Sequence, residues 1–290
     1  MTADSAILAH RVSYQTNIAN SSINPLTNVR IFLAFPPPFP PYQHLVDIKP
    51  QPVIGRQVTD LRGNHWLDFT CHQLAGLETF SCGYTALVRN RSVQYQLPPS
   101  VQNPTIPSQL QSYTKPEFFI ESHHHLIKDL ARDIAKNHTE IVSFVKAAMR
   151  TVTKTLRYVP QQHERGAAFA IENQVGDCTE YAALFAALCR ARGIPARLIS
   201  GFASTKKHWE RHGWSEVWIR NHWIPVDPTW FGSVGWLGAT NRHIPIIIGN
   251  WMDIRSHQEF KVTWRQPPNT AAPHLSSTWK VTQVVSIQTS

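Results

Sequence analysis

Gly176-Asp177-Cys178-Thr179-Glu180-Tyr181-Ala182-Ala183-Leu184-Phe185-Ala186-Ala187-Leu188-Cys189-Arg190-Ala191-Arg192-Gly193-Ile194-Pro195 reads as one helix with a thiol in its first turn. Tyr181, Leu184, Phe185 and Leu188 recur at the spacing of a single buried helical face. Alanines fill the remaining core-facing positions, so a neighbouring layer can approach closely. Gly193 and Pro195 end the helix in the expected order, after Arg190 and Arg192 in the last turn. Cys178 therefore sits where unpaired backbone N–H groups and the positive end of the helix dipole converge. Such a place favours thiolate over thiol and makes a cysteine nucleophilic.

A thiolate needs a proton partner, and the next segments offer one. Ala196–Ala203 reads as a strand leaving the helix, followed by a polar loop, Ser204–Arg211. Two further strand-like runs, His212–Ile219 and Trp223–Trp230, are joined through Arg220-Asn221-His222. In the first run His212, Trp214, Glu216 and Trp218 fall on one side. A hairpin loop with an even number of residues makes paired positions sum to an odd number. His212 and Asp227 then share a face, a diagonal apart. An imidazole and a carboxylate can thus meet in front of the thiol, as a Cys178–His212–Asp227 triad requires.

The order G-D-C-x-E-Y-A-x-L-F, then R-A-x-G-I-P-A-R, then H-x-W-x-E-V-W-I, then W-x-P-V-D-P-T-W resembles the transglutaminase-like superfamily of papain-related thiol enzymes. The resemblance is close over residues 144–230 and looser to about Trp264. It implies an α+β papain-like core, helices packed on an antiparallel sheet, with the nucleophile on a helix and its partners on adjacent strands. It carries over Cys178 as nucleophile, His212 as general base and Asp227 as the group that orients it. Gly213 stands where many relatives have another small residue.

At 290 residues the chain exceeds one ordinary core, and two domains are expected. From Ala9 to Leu97, short alternating or apolar runs lie between turn signals, among them Asp60–Asn64, and suit an antiparallel β-sandwich. Relatives of the resembled family often carry such a domain ahead of the catalytic one. Pro98, Pro99, Pro104, Pro107 and Pro116 mark a linker. Helices follow at Glu121–Ala135 and Thr139–Leu156. The expected division is residues 1–100 sandwich, 101–115 linker and 116–290 catalytic domain. Pro36–Pro41 reads as a stiff loop between strands in preference to a polyproline ligand.

The net charge is +9, from 28 basic and 19 acidic residues, but the basic residues are scattered, which argues against nucleic-acid binding. No stretch approaches a membrane span. No signal peptide opens the sequence, so the chain is expected to be cytoplasmic unless a preceding signal has been removed. Four cysteines do not make a disulfide framework in a chain this long. Cys189 is expected in the core, and Cys71 and Cys82, which could pair if oxidised, are expected as two separate buried thiols.

His123-His124-His125 does not form a metal site, because consecutive helical residues point about 100° apart. His138, His163, His208, His222 and His243 show no ligand spacing. His208 and His222 rival His212 as base but lack the flanking strand pattern. For the oxyanion of acyl transfer, the backbone N–H of Cys178 is the natural donor. Asn173 or Gln174, in what reads as the loop entering the helix, are side-chain candidates for a second. Glu180 is expected to cap its helix or pair with Arg197, while Trp214 and Trp230 wall the cleft. No acidic calcium loop, metal site or cofactor motif is present.

The function expected is a thiol-dependent acyl-transfer enzyme acting on a peptide or protein amide substrate. Hydrolysis would make it a cysteine peptidase or amidase, the assignment common among members with a G-D-C-x-E block. An amine acceptor would make it a transglutaminase or amide synthase. A third reading is a non-catalytic binding module on the same scaffold.

Overall fold

The computed structural model describes residues 6–53, 55–98, 105–205, 208–249, 256–257 and 259–284. The first part is all strand: β1 (Leu8–Ala19), β2 (Leu26–Phe35), β3 (Gln43–Gln51), β4 (Arg56–Thr59), β5 (His65–Leu74), β6 (Thr79–Asn90) and the short β7 (Val93–Gln94). After a 3₁₀ turn at Ser108–Thr114 come α1 (His125–Asn137), α2 (Ile141–Thr155), β8 (Arg157–Tyr158), α3 (Gly166–Asn173), β9 (Val175–Gly176) and α4 (Cys178–Ala191). The remainder is again strand: β10 (Ala196–Ser204), β11 (Trp209–Ile219), β12 (His222–Val226), β13 (Gly238–Ala239), β14 (His243–Ile248), β15 (Ser256–His257), β16 (Phe260–Arg265) and β17 (His274–Val284).

The strands alternate as buried and exposed residues require of half-covered sheets, most clearly in β1, where Val12, Tyr14, Thr16 and Ile18 point inward. Two antiparallel sheets, β17-β1-β6-β3 and β15-β16-β2-β5-β4, share one apolar core. A third sheet, β12-β11-β10-β14, carries the helices on one face. There Val217 and Ile219 of β11 join the core formed by Phe144, Leu184 and Phe185. The other face meets the sandwich, with Trp214 and Ile199 packed on Phe39 and Tyr42. The architecture is mixed α and β with antiparallel sheets, as expected.

The expected division after residue 116 does not follow the strand pairing. β17 pairs along nearly the whole of β1, from Ala9↔Val284 to Ala19↔His274, and β16 pairs with β2. The chain thus returns to the sandwich after building the third sheet. The expected linker is also more than a tether, since Leu110 is buried and the Tyr113 ring meets Trp223 edge-on at 5.1 Å.

Local signals account for most helices. α1 starts at His125, later than expected, so only one of the three consecutive histidines is helical, and His124 instead reaches Glu172 at 3.0 Å. α3 was not anticipated from the sequence. Its cap comes from a distant residue: the Glu121 carboxylate accepts the N–H groups of Ala167 and Ala168 at 3.0 and 3.1 Å.

Candidate active site

Cys178 is the first residue of α4, and the turn before it is doubly capped. Asp177 Oδ1 accepts the Thr179 N–H at 3.0 Å, while Glu180 Oε2 accepts the Asp177 N–H at 3.0 Å. Glu180 also accepts the Arg165 N–H at 2.8 Å, and it is fully buried. It does not pair with Arg197, which pairs with Glu216. A side chain at Gly176 would collide with the Glu180 Cβ, which explains the glycine of the G-D-C run. Burial raises the Glu180 carboxyl above its usual range.

The strand opposite comes close because Gly213 has no side chain; a Cβ there would stand 3.2 Å from the Thr179 methyl. Ser215 Oγ donates to the Ala182 carbonyl at 2.9 Å and fixes α4 against β11. The β11–β12 hairpin turns through Arg220-Asn221, both at positive φ (50° and 65°), and pairs Trp218 with Trp223 and Ser215 with Val226. Paired positions sum to an odd number, so Asp227 lies diagonal to His212. His212 Nε2 meets Asp227 Oδ2 at 2.9 Å, and Cys178 acts on the same imidazole, helping to raise its pKa. With Nε2 engaged by the carboxylate, Nδ1 is the nitrogen left for the thiol.

Asp227 is fully used as an acceptor. Its Oδ1 accepts the N–H groups of Thr229 and Trp230 at 2.9 and 3.1 Å, inside the Asp-Pro-Thr-Trp turn. Its Oδ2 meets His212 and also His243 Nε2, the latter at 3.3 Å. Four donors match the four lone-pair sites of a carboxylate. Burial alone would raise the Asp227 pKa, but His212 and His243 together hold it well below the usual carboxylate range. For His212 burial acts downward and is outweighed by Asp227 and Cys178, leaving its pKa raised to about 10.

The donor atoms of His212, Asp227 and His243 lie within 4.8 Å of one another and are of metal-ligating type. Each is engaged by its neighbours in hydrogen bonds, so the arrangement is complete as a hydrogen-bonded cluster. The Trp230 ring stacks on His212 at 4.2 Å with planes 16° apart and walls the site, as expected. Trp214 backs the site from within the core: its ring lies 6.0 Å from His212 with planes 25° apart, and it is fully buried against Phe39 and Tyr42. His208 and His222 are exposed, and His222 lines a separate pocket between Pro38–Pro41 and Trp223.

The two side-chain oxyanion candidates are not brought to the thiol. Asn173 ends α3 and its amide donates to the Phe169 carbonyl at 2.9 Å; Gln174 is an exposed residue in the left-handed conformation at the C-cap. Tyr158 lies beside the turn that leads into the thiol. Its strand pairs with Gly176, and burial, then the negative charge of Cys178 and Asp177, pushes its phenol up to about 12. Burial raises the thiols of Cys71, Cys82 and Cys189 above their ordinary range, Cys82 to about 12.

A protein-family model described as the transglutaminase-like superfamily matches residues 128–228, the stretch from α1 to the residue after Asp227. This chain carries a transglutaminase-like domain. A protein-glutamine gamma-glutamyltransferase of Pseudomonas aeruginosa is 32% identical over 73 residues, which are 21% of this chain and 11% of that protein. The match therefore spans about a tenth of the relative's length. Among solved structures, a candidate cysteine protease from Cytophaga hutchinsonii superposes with a TM-score of 0.68 at 18% identity, over 96% of this chain and 92% of that one. That structure therefore shares the fold over nearly the whole chain, the sandwich included. The periplasmic domain of TgpA from Pseudomonas aeruginosa aligns over 79% of this chain and 91% of its own, at 15% identity and a TM-score of 0.39.

Proposed function

We propose that the chain is a thiol-dependent acyl-transfer enzyme acting on amide bonds of peptides or proteins, through Cys178, His212 and Asp227. The observation that carries this reading is the buried His212–Asp227 pair at 2.9 Å, with His212 on the strand that packs against the start of α4, where Cys178 stands. The Cys178 thiolate attacks the amide carbonyl carbon, and the oxyanion that forms is met by the Cys178 backbone N–H. The intermediate collapses as the C–N bond breaks and His212 gives its proton to the departing amine or ammonia. Water, deprotonated by the same imidazole, then attacks the thioester and frees the acid. Asp227 stays ionised throughout and stabilises the imidazolium.

Hydrolysis is the first reading, giving a cysteine peptidase or amidase. The identity to a protein-glutamine gamma-glutamyltransferase supports a second, in which an amine replaces water as acceptor. Incubating the protein with a glutaminyl peptide, with and without a primary amine, separates them by mass spectrometry. Cleavage or deamidation that is indifferent to the amine supports the first reading; an amine adduct supports the second. Either product must vanish in Cys178→Ser. No product over a panel of peptides, with Cys178 unreactive toward iodoacetamide, would favour a binding module on this scaffold.

A further inference from the structure

One group in the cluster has no task in the scheme above. His243 opens β14, on the far side of β10 from β11, and its Nε2 meets the same Asp227 oxygen as His212 does. Its proton is placed from behind. The Thr240 N–H donates to His243 Nδ1 at 3.2 Å, and Thr240 Oγ1 lies 2.8 Å from the same nitrogen. A ring nitrogen that accepts a backbone N–H carries no proton, so the neutral ring holds its proton on Nε2, aimed at Asp227. Burial lowers the pKa of the ring, against the pull of Asp227 and of the Thr240 backbone; His212 acts in the same direction as burial. The ring is held in place as well: Trp214 and Trp230 meet it edge-on at 5.2 and 5.4 Å, and Asn90 donates to its backbone carbonyl at 3.0 Å.

We propose that His243 is a positioning residue for the thiol chemistry: a permanent neutral N–H donor that fixes Asp227 Oδ2 where His212 must meet it. The inference rests on the triad reading above. Its physical reason lies in the catalytic cycle. His212 gives up and regains a proton at each turnover, so its hold on a buried carboxylate varies. Oδ1 keeps its two backbone donors, but Oδ2 would depend on His212 alone. His243 supplies the donor that does not titrate with the reaction. It keeps the carboxylate anionic and in one orientation, and so keeps His212 Nδ1 turned toward Cys178.

The test needs no known substrate. The rate of Cys178 labelling by iodoacetamide is measured from pH 4 to 10 in the parent, His243→Gln, His243→Phe and Asp227→Asn. Gln can place an amide N–H near the position of Nε2, whereas Phe keeps the ring volume and loses the donor. The labelling rate near neutral pH is expected to fall about tenfold in the Phe variant, the scale of a lost hydrogen bond to a charged group, with the profile displaced to higher pH. The Gln variant should stay within about threefold of the parent. If His243 merely fills space, the order reverses and Phe is the better substitute, which overturns the proposal. An unchanged Phe profile beside a changed Asp227→Asn profile also overturns it while leaving the triad intact. If Asp227→Asn is itself unchanged, the triad reading falls. Should the Phe variant not fold, ¹⁵N spectra of histidine-labelled parent protein decide: a neutral His243 with its proton on Nε2 is expected, and an imidazolium or the Nδ1–H tautomer at pH 7 refutes the role.

Discussion

His212 and Asp227 lie on a diagonal of the β11–β12 hairpin and meet at 2.9 Å, both almost fully buried. Removing one acceptor from that pair has a defined cost. Asp227→Asn keeps the shape but offers a single oxygen, and its new N–H group would face donors. If Asp227 orients His212, turnover should fall by up to about 10⁴-fold while KM stays close to the parent value, the pattern seen when a serine protease triad loses its carboxylate. Steady-state kinetics on whichever peptide proves active checks this. Activity within about threefold of the parent would remove Asp227 from the proposed machinery.

The same pair governs how stability follows pH. His212 has its pKa raised to about 10 in the fold, against an ordinary value of 6.5. Its contribution to stability is therefore complete below pH 6.5 and is lost as pH rises through about 10. Asp227 behaves oppositely: its folded pKa is lowered, so its contribution is present above its ordinary value of 3.8 and fades as pH falls toward the lowered one. Urea midpoints of the parent and His212→Gln, taken at pH 6 and pH 10, should differ most at pH 6. A gap that widens toward pH 10 would contradict the ion pair.

Glu164 supplies an opposing term. Burial, then Glu180, Asp177 and Glu259, pushes its carboxyl up to about 7. A carboxyl raised in this way stabilises the fold when protonated, and that stabilisation is lost as pH rises from about 4.5 through 7. Glu164→Gln should accordingly gain about 1–2 kcal/mol at pH 8 and little at pH 4, read as a change in melting temperature. Equal effects at both pH values would mean that the substitution acts through packing.

What the sequence made legible, and what it hid, follows the range of the interactions. The α4 helix, its terminating Gly193 and the odd-sum register of the hairpin are local features, so Cys178, His212 and Asp227 could be placed from spacing alone. His243 could not. It opens an apolar strand with no nearby turn to tie it to the hairpin, and it reaches Asp227 only because β14 pairs with β10. α3 was hidden because its cap, Glu121, lies far back in the chain. Trp214 alternates with Ser215 as a half-buried strand would require, but both of its sheet's faces are covered, so it became core. The C-terminal strands carried the weakest signal. β17 is an exposed edge with one strongly buried residue, Val281, and nothing local in its sequence names β1 as its partner.

That last pairing changes what a truncation should do. Cutting near residue 114 looks harmless if the sandwich ends with β7, yet the fragment 114–290 would keep β16 and β17 while losing β2 and β1, their partners. Two edges of unpaired backbone N–H and C=O groups would be released. The third sheet would suffer too: Trp214 and Ile199 would lose Phe39 and Tyr42, and Phe202 and Ile244 would lose the sandwich core that covers them. Arg211, next to His212, is held by Glu259 at 2.9 Å and by the Tyr14 hydroxyl at 3.4 Å, so the strand bearing the imidazole also loses an anchor. The fragment 114–290 is therefore expected to bind a hydrophobic dye, to lack a cooperative melting transition, and to label Cys189 as readily as Cys178. Co-expressing residues 1–100 should restore a single transition and selective labelling of Cys178, because the strand partners are then supplied in trans. A fragment that melts cooperatively by itself and labels only at Cys178 would show that the helices and the third sheet fold without the sandwich.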